Sequence, residues 1–553
     1  MRSLIKGRRP DVWFFAAGLI FLIYIAIIIY PLVRLLGESF TGQAGASFSV
    51  QYFVQFFTTP YYARALWNSL LVTVSVTMLA IVIAFPLAYF MTTIRIRGKN
   101  TLQILVLISS MSPPFIGAYS WILLLGTNGV ITNFAHNVLR IQVPTIYGFP
   151  GIVLVLTLQL VPLIFMYLMG AWRTIDVSLL EASESMGVTG VRRMYKIIGP
   201  LILPTILSGG LLVFMRALAD FGTPMLIGQG FQTVPVLIYN SFVSEVGTND
   251  GLAAAISVVV IVVTLIIFLV QKYFAGRKNF SMSALQPIQP KKAHGLKNII
   301  GHAYVYGFIA LAILPTAYVV YTAFVKTKFG VFVPGFSLDS FTTAFTTSSN
   351  AIVNTLVLGI TALICVVIIA VFVAYVSVRR RNALTGTLDT LTMVPYIVPG
   401  LVIGIAFLLS FNRTPLLLTG TAVIMILALV MRRLPYTIRS SSAILYQISP
   451  SVEEASISLG ASHLKTFFRV TIPMMGPGVI SGGILTWVAI ITELSATIFL
   501  YTVHTETLSI SIYTEVIRGQ YGVAAALSTI LTVMTVLSLF IFLRINRDKE
   551  ISI

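Results

Sequence analysis

Two stretches of this chain read almost as one: SLLEASESMGVTGVRRMYKIIGPLILPTILSGGLL over Ser178–Leu212 and SVEEASISLGASHLKTFFRVTIPMMGPGVISGGIL over Ser451–Leu485. Glu181 falls opposite Glu454, Gly187 opposite Gly460, Pro200 opposite Pro473 and Pro204 opposite Pro477. Gly209–Gly210 falls opposite Gly482–Gly483, all at one offset (454 − 181 = 273) and without a gap. Such a repeat has to be read first, because it constrains every later assignment. Toward the amino terminus of each copy a second register holds. Asn68 matches Asn354, Ala88–Tyr89 matches Ala374–Tyr375, and Pro113 matches Pro399 (399 − 113 = 286). The change of register places a longer loop near 126–147 than near its counterpart at 412–419.

Composition says what is being repeated. Of 553 residues, 57% are hydrophobic and 10% charged, whereas a soluble domain carries about 25% charged residues. Disorder and a disulfide scaffold are excluded too, since Cys365 is the single cysteine. A bilayer core needs roughly 20 apolar residues per helix. Runs of that kind lie near 13–36, 66–93, 102–125, 148–171, 201–228, 252–273, 300–325, 351–377, 388–411, 416–440, 474–502 and 523–543. The expected fold is therefore an all-α integral membrane protein of twelve transmembrane helices, arranged as two parallel six-helix repeats. The first run follows MRSLIKGRRP, but it is too long for a signal peptide and lacks a small-residue cleavage site, which reads as a retained anchor.

The formal charge of +19 invites a nucleic-acid reading, and the positions of the cations answer it. With twelve alternating spans, all 36 Lys and Arg except Arg34, Arg64, Arg140, Arg216, Lys326, Lys328, Arg413 and Arg518 fall on one side. The positive-inside rule makes that side, and both termini, cytoplasmic. The basic charge is topological, so membrane lipid and not nucleic acid is the expected surrounding. The polar, basic segment AGRKNFSMSALQPIQPKKAHGLKN divides the chain into a first six-span unit (1–274), a cytoplasmic linker (275–298) and a second six-span unit (299–553).

The repeated loop is longer than a bare connector between helices requires. Ser178-x-x-Glu181 and Ser451-x-x-Glu454 fit a capping box, and Gly187 and Gly460 stand where a left-handed residue ends a short helix. A second short basic stretch follows, and Pro200 and Pro473 are expected to open the next span. A capped helix, a forced turn and a second helix, made twice, read as a docking surface for a soluble partner. The chain lacks G-x-x-x-x-G-K-[ST], so it supplies no nucleotide site of the Walker type.

These residues resemble a known pattern: Glu-Ala-Ala, three residues, Gly, nine residues, then Ile-x-Leu-Pro. That is the signature loop of the permease subunits of type I binding-protein-dependent ABC importers. The first copy offers Glu181, Ala182, Ser183, Gly187 and Pro200, with Gly199 where Leu is usual. The second offers Glu454, Ala455, Ser456, Gly460 and Pro473. The resemblance implies the type I permease fold in the bacterial inner membrane and ATPase coupling through these two loops. It implies two copies of a separate ATP-binding subunit, which holds ATP and Mg, and a periplasmic substrate-binding protein. The chain itself would then be a pore without enzymatic activity or cofactor of its own.

Fused double units of this kind resemble importers of ferric iron, thiamine, polyamines and aminoethylphosphonate. LADFGTPMLIG from Leu218 and ELSATIFLY from Glu493 lean toward ferric iron. Asp220 and Glu493 occupy equivalent repeat positions (493 − 220 = 273) and are expected toward the periplasmic end of the fifth span of each half. Intramembrane carboxylates are functional candidates by default, and an ordinary anchoring role weighs nearly as much. Tyr119 and Tyr396 are further candidates for lining the pathway, with helix packing as the competing reading. Arg432 and Arg433 are expected to face a watery vestibule or to snorkel to the cytoplasmic interface. An ion-coupled secondary transporter would share the twelve spans, yet would not need the duplicated capped loops.

Overall fold

The computed structural model describes residues 12–41, 48–111, 113–243, 249–276, 286–414 and 416–545. Arg2, Lys6, Arg8, Arg9, residues 277–285 of the linker, and Arg547 and Lys549 lie outside them.

All twelve expected positions are helical. Among the described residues ten helices are long and apolar enough to cross a membrane, from Val12–Ser39 to Tyr521–Ile541. The ninth position is a pair, Ala383–Ile397 and Gly400–Phe411, bent by 108°. Its break is written in the sequence: a residue before proline avoids the helical region, and Val398 before Pro399 is extended (φ −80°, ψ 124°). The same device separates Lys99–Met111 from Pro114–Leu125, where Pro113 has φ −56° and ψ 139°. The tenth position, Ala422–Gln447, carries Arg432, Arg433 and Arg439 and is the least apolar of the twelve. It is held by packing against Ser349–Arg379 and Ile472–Ile491. Among the described residues the only sheet is a hairpin of Val325–Lys328 and Val331–Phe336.

The helices form two compact bodies. One contains Ser49–Thr342 and Glu515–Thr529; the other contains Met1–Phe48, Thr343–Thr514 and Ile530–Ile553. Packing thus cuts across the sequence halves at their opening spans. Val12–Ser39 belongs with the second half, where Trp13 is buried with its ring 4.8 Å from Tyr375 and 5.0 Å from Phe467. Gly295–Ala323 belongs with the first half, where the Tyr304 hydroxyl donates to the Ile83 carbonyl at 2.9 Å.

Inside each body the fourth- and fifth-span helices meet in the same register. Gly209 lies on Ile164 and Tyr167; Gly482 lies on Thr437 and Ser440, the residues 273 further on. A Cβ on Gly482 would stand 2.8 Å from the Thr437 Cα. In a membrane, where lipid is as apolar as the helix surface, small residues that allow this approach are what bring helices together. Polar bonds join the same two helices in the second body: Thr437 with Thr486 at 2.8 Å, and Ser440 donating to the Gly478 carbonyl at 2.7 Å.

Candidate functional site

The two repeated loops begin with helices Val177–Ser185 and Pro450–Ser458. Their caps differ from the expected Ser-x-x-Glu boxes. Asp176 accepts from the Ser178 amide at 2.9 Å, and the Ser449 side chain accepts from the Ser451 amide. The helices therefore start at least one residue earlier, because Asp and Ser in extended conformation precede the stretch and Pro450 fits the first helical turn. The other ends are as read. Gly187 and Gly460 are left-handed, with φ +73° and +86°. Around each, two bonds close a Schellman turn. Gly187 donates to the Glu184 carbonyl (2.9 Å) and Val188 to Ser183 (2.8 Å), while Gly460 donates to Ile457 (2.9 Å) and Ala461 to Ser456 (3.2 Å).

Beyond the turn the second short helix is not separate. Gly190–Leu218 and His463–Ile491 each run through as one helix, widened at Met194–Ile198 and Phe467–Thr471 to a π-helical turn. Pro200 and Pro473 sit just past these turns and do not open a new helix. Proline has no N–H to give to the preceding turn and crowds its carbonyl, and a wide turn absorbs both effects without ending the helix. Each fifth span is thus continuous with the second half of its loop.

Exposure separates frame from surface. Glu181, Ala182, Glu454 and Ala455 are exposed, whereas Ser183 is buried and its hydroxyl donates to the Leu180 carbonyl at 2.7 Å. Ser456 bonds Thr466 at 3.0 Å. Apolar residues that the motif did not name also stand well out of the loop. Met186 is 73% exposed and its equivalent Leu459 89%. Val191 and Leu464, and Tyr195 and Phe468, are likewise exposed apolar pairs at the 273 offset. The signal was present in the sequence: apolar residues matched in both copies, amid polar ones, just before and just after the turn glycine.

The two loops are anchored by different means. In the second, Glu453 receives Arg379 Nε at 3.0 Å, and Arg379 also donates to the Ile448 carbonyl. In the first, Leu180 stands at the Glu453 position, and the linker takes over. The Asp176 carboxylate accepts from the Gln286 amide at 3.0 Å, and the Val177 amide donates to the Gln286 carbonyl at 3.0 Å. A few residues on, Lys291 exchanges backbone bonds with Thr93 and Arg95.

At the far end of each fifth span the helix stops, at Leu218 and Ile491, and an acid follows. Both acids cap the next turn: Asp220 accepts from the Thr223 amide at 2.9 Å, Glu493 from the Ala496 amide at 3.0 Å. The chain beyond is tied to the second span of its half. Asn68 donates to the Gln232 carbonyl, and Asn354 donates to the carbonyls of His504 and Glu506. Glu493 also lies between Arg432 and Arg433, with Arg432 Nε at 3.3 Å and an ion pair to Arg433. Those arginines are therefore paired with an acid inside the body, where the sequence offered only a vestibule or an interface for them. They are in the interior part of Ala422–Gln447 and turn inward because the buried carboxylate is there. Tyr119 is fully buried, its hydroxyl donating to the Tyr521 carbonyl at 2.6 Å. Tyr396 is 36% exposed, with its ring 5.6 Å from Tyr436. Among the described residues no group of three or more His, Cys, Asp or Glu is placed to hold a metal ion.

The family model described as binding-protein-dependent transport system inner membrane component matches residues 80–279 and again 366–550. The chain belongs to that family. Both matches include a Schellman-ended loop helix and the fifth span that continues it. Among its relatives is the ferric transport system permease protein FbpB of Actinobacillus pleuropneumoniae, 28% identical over 96% of this chain and 78% of its own length. The putative ferric transport system permease protein FbpB 1 of Haemophilus influenzae is 29% identical over 91% of this chain and 80% of its own. The spermidine/putrescine transport system permease protein PotB of the same organism, 26% identical, covers 47% of this chain with 92% of its length. About half of this chain is thus similar to nearly the whole of a separate permease.

Proposed function

We propose that this permease passes ferric iron, handed over by a periplasmic binding protein, into the bacterial cytoplasm, driven by a separate ATP-binding subunit. Two copies of that subunit engage the two loops, one at Glu181–Gly187 and one at Glu454–Gly460, and both termini are cytoplasmic. What carries the coupling reading is the pair of loop helices, each ended by a left-handed glycine and each presenting a protruding apolar residue, Met186 or Leu459. A rigid turn fused through a π-helical segment to the fifth span converts movement of a docked subunit into movement of that span. The iron assignment is supported by relatives named for ferric transport that align with nearly the whole chain. In this reading 1–274 and 299–553 act as two permease units joined by the linker.

Asp220, Glu493 and Tyr396 are proposed to border the pathway where the fifth spans break; the hydroxyl of Tyr119 is already committed to Tyr521. The test is reconstitution of the permease with its ATP-binding subunit and binding protein in proteoliposomes. Radiolabelled ferric iron uptake should require ATP and fall in Glu454→Lys and Gly460→Pro. Intact coupled transport in both variants refutes coupling through the loop. Uptake of a polyamine in place of iron refutes the cargo alone.

A further inference from the structure

The second span of each half ends in cations, and the two groups are used differently. In the second body Arg379 pairs with Glu453, Arg380 donates to His463 Nδ1 at 3.2 Å, and Arg381 donates to the Tyr446 hydroxyl at 2.7 Å. Each of these guanidinium groups has a side-chain partner within its own body. In the first body the equivalent of Arg381 is Arg95 (381 − 95 = 286). Its Nε donates to the Pro290 carbonyl at 3.0 Å, and its other nitrogens have no partner among the described residues. Arg97 makes no side-chain hydrogen bond or ion pair among those residues.

The linker brings more positive charge to the same place. The Lys291 carbonyl accepts from the Arg95 amide at 3.1 Å, and the Lys291 amide donates to the Thr93 carbonyl at 3.0 Å. These bonds set Lys291 and Lys292 beside Arg95, and neither ammonium has an ion pair among the described residues. Helix Gly295–Ala323 starts just after them and is tied to the same stretch, since the Tyr306 hydroxyl donates to the Arg97 carbonyl at 3.0 Å. Lys297, in its first turn, lies 5.7 Å from the centre of the Tyr89 ring. Arg95, Arg97, Lys291, Lys292 and Lys297 are all exposed. Like charges gathered on one surface create a potential that draws an anion to it.

What the anion belongs to is indicated by the helix that leads away from the cations. Leu296, Ile299, Ile300, Ala303, Ala310, Leu311 and Leu314 are exposed apolar residues at steps of three and four, apart from one longer step, on a helix long and apolar enough to cross a membrane. That spacing is one face of a helix. A small soluble anion or an acidic protein surface would use the cations and leave this face bare, whereas a phospholipid has a part for each. Clustered Lys and Arg at the end of a span are the usual site for anionic headgroups.

We propose that Arg95, Arg97, Lys291, Lys292 and Lys297 bind the phosphate of an anionic phospholipid whose acyl chain lies along the exposed face that begins at Leu296. The second body, where Arg379, Arg380 and Arg381 are already partnered, has no such site at the end of its second span. The bound lipid would join the linker to the second span at the place where their backbones meet.

The full-length chain is placed in phosphatidylcholine nanodiscs with a rising fraction of phosphatidylglycerol, and thermal unfolding is followed at constant ionic strength. Both leaflets carry the same mixture, so the outcome does not depend on which face is cytoplasmic. The wild type should be stabilised saturably, since a ligand that binds only the folded state raises its melting temperature. Changing Lys291→Gln and Lys292→Gln together leaves the backbone bonds in place and should raise the half-saturating phosphatidylglycerol fraction about tenfold or more. Lys291→Arg with Lys292→Arg keeps the charge and should respond as the wild type does. Lys326→Gln with Lys328→Gln removes the same charge from the hairpin and should leave the response unchanged. No stabilisation of the wild type overturns the proposal, as does equal weakening in the 291/292 and 326/328 glutamine variants, which would mean diffuse attraction without a site. An unchanged response in the 291/292 glutamine variant also overturns it, and weaker binding of the ATP-binding subunit by that variant would then assign the cations to that partner. Equal stabilisation by inorganic phosphate in discs without phosphatidylglycerol refutes a lipid as the ligand. Should the 291/292 glutamine variant fail to fold, the arginine variant decides, and loss of its response overturns the proposal.

Discussion

Leu459→Ser is the sharpest probe of how the permease meets its ATP-binding subunit. Leu459 closes the second loop helix and is 89% exposed, so nothing in the permease depends on its side chain for packing. Fully burying a leucine stabilises by roughly 1.5–3 kcal/mol. If docking covers the exposed part, the change removes about 2 kcal/mol of association free energy. At about 1.4 kcal/mol per factor of ten, the dissociation constant for that subunit rises about 30-fold. Met186→Ser, at 73% exposure, should cost somewhat less, about tenfold. The assay is titration of purified ATP-binding subunit onto nanodisc-embedded permease, with the melting temperature recorded on the same samples. A shift below twofold at an unchanged melting temperature refutes the assignment of these residues to the contact. A lowered melting temperature shows that Leu459 supports the loop itself.

Gly460→Ala forces a Cβ into the left-handed region and should destabilise the loop by about 1–2 kcal/mol, read as faster hydrogen exchange at Gly460 and Ala461 while the spans stay protected. Gly482→Ala should lower thermal stability by about 1–3 kcal/mol, because the nearest atom it meets is the Thr437 backbone; an unchanged melting temperature would argue against the close helix packing. Arg379→Ala removes the partner of Glu453, whose side chain is 13% exposed, and should cost about 3 kcal/mol; a double change to Met at 379 and Leu at 453 should recover most of it in the same unfolding assay. Asp220→Asn keeps an acceptor for the Thr223 amide, so a fall in iron uptake with normal ATPase assembly marks a needed charge, and unchanged uptake leaves Asp220 a cap.

What the sequence announced was whatever a single residue type enforces locally. Gly187 and Gly460 had to be left-handed because a helix was ending and no side chain was in the way. Pro114 and Pro399 break the third span of each half because the residue before each, Pro113 or Val398, leaves the helical region. The caps were read late, at Ser178 and Ser451, since the same stretch offers several acceptors and only the geometry of entry selects Asp176 and Ser449. The continuity of loop and span was hidden because a proline near a helix start and a proline after a π-helical turn look alike in sequence. Arg432 and Arg433 were misplaced for a different reason. Their partner Glu493 is 60 residues away (493 − 433), and hydropathy alone assigns two adjacent arginines to an interface. The exchange of the opening spans has no local signal at all: Trp13 records only that it will be buried, not by what.

The linker is fastened through its own amide and carbonyl groups, at Gln286 to the first loop and at Lys291 to the end of the second span. A fastening of that kind takes account of chain length and is indifferent to side-chain identity, apart from residues that lack an N–H. Apart from Ile288 and Ala293, which pack against the core of the first body, and Lys291 and Lys292 of the proposed lipid site, the described part of the linker can drift in composition, while a deletion of one residue between Gln286 and Lys291 would pull one fastening out of register. The second loop works the other way. Its hold on Ser349–Arg379 rests on the Arg379–Glu453 pair together with the Arg379 bond to the Ile448 carbonyl, so substitution of Arg379 loosens it. One chain thus holds its two repeated loops by fastenings that are vulnerable to different kinds of genetic change.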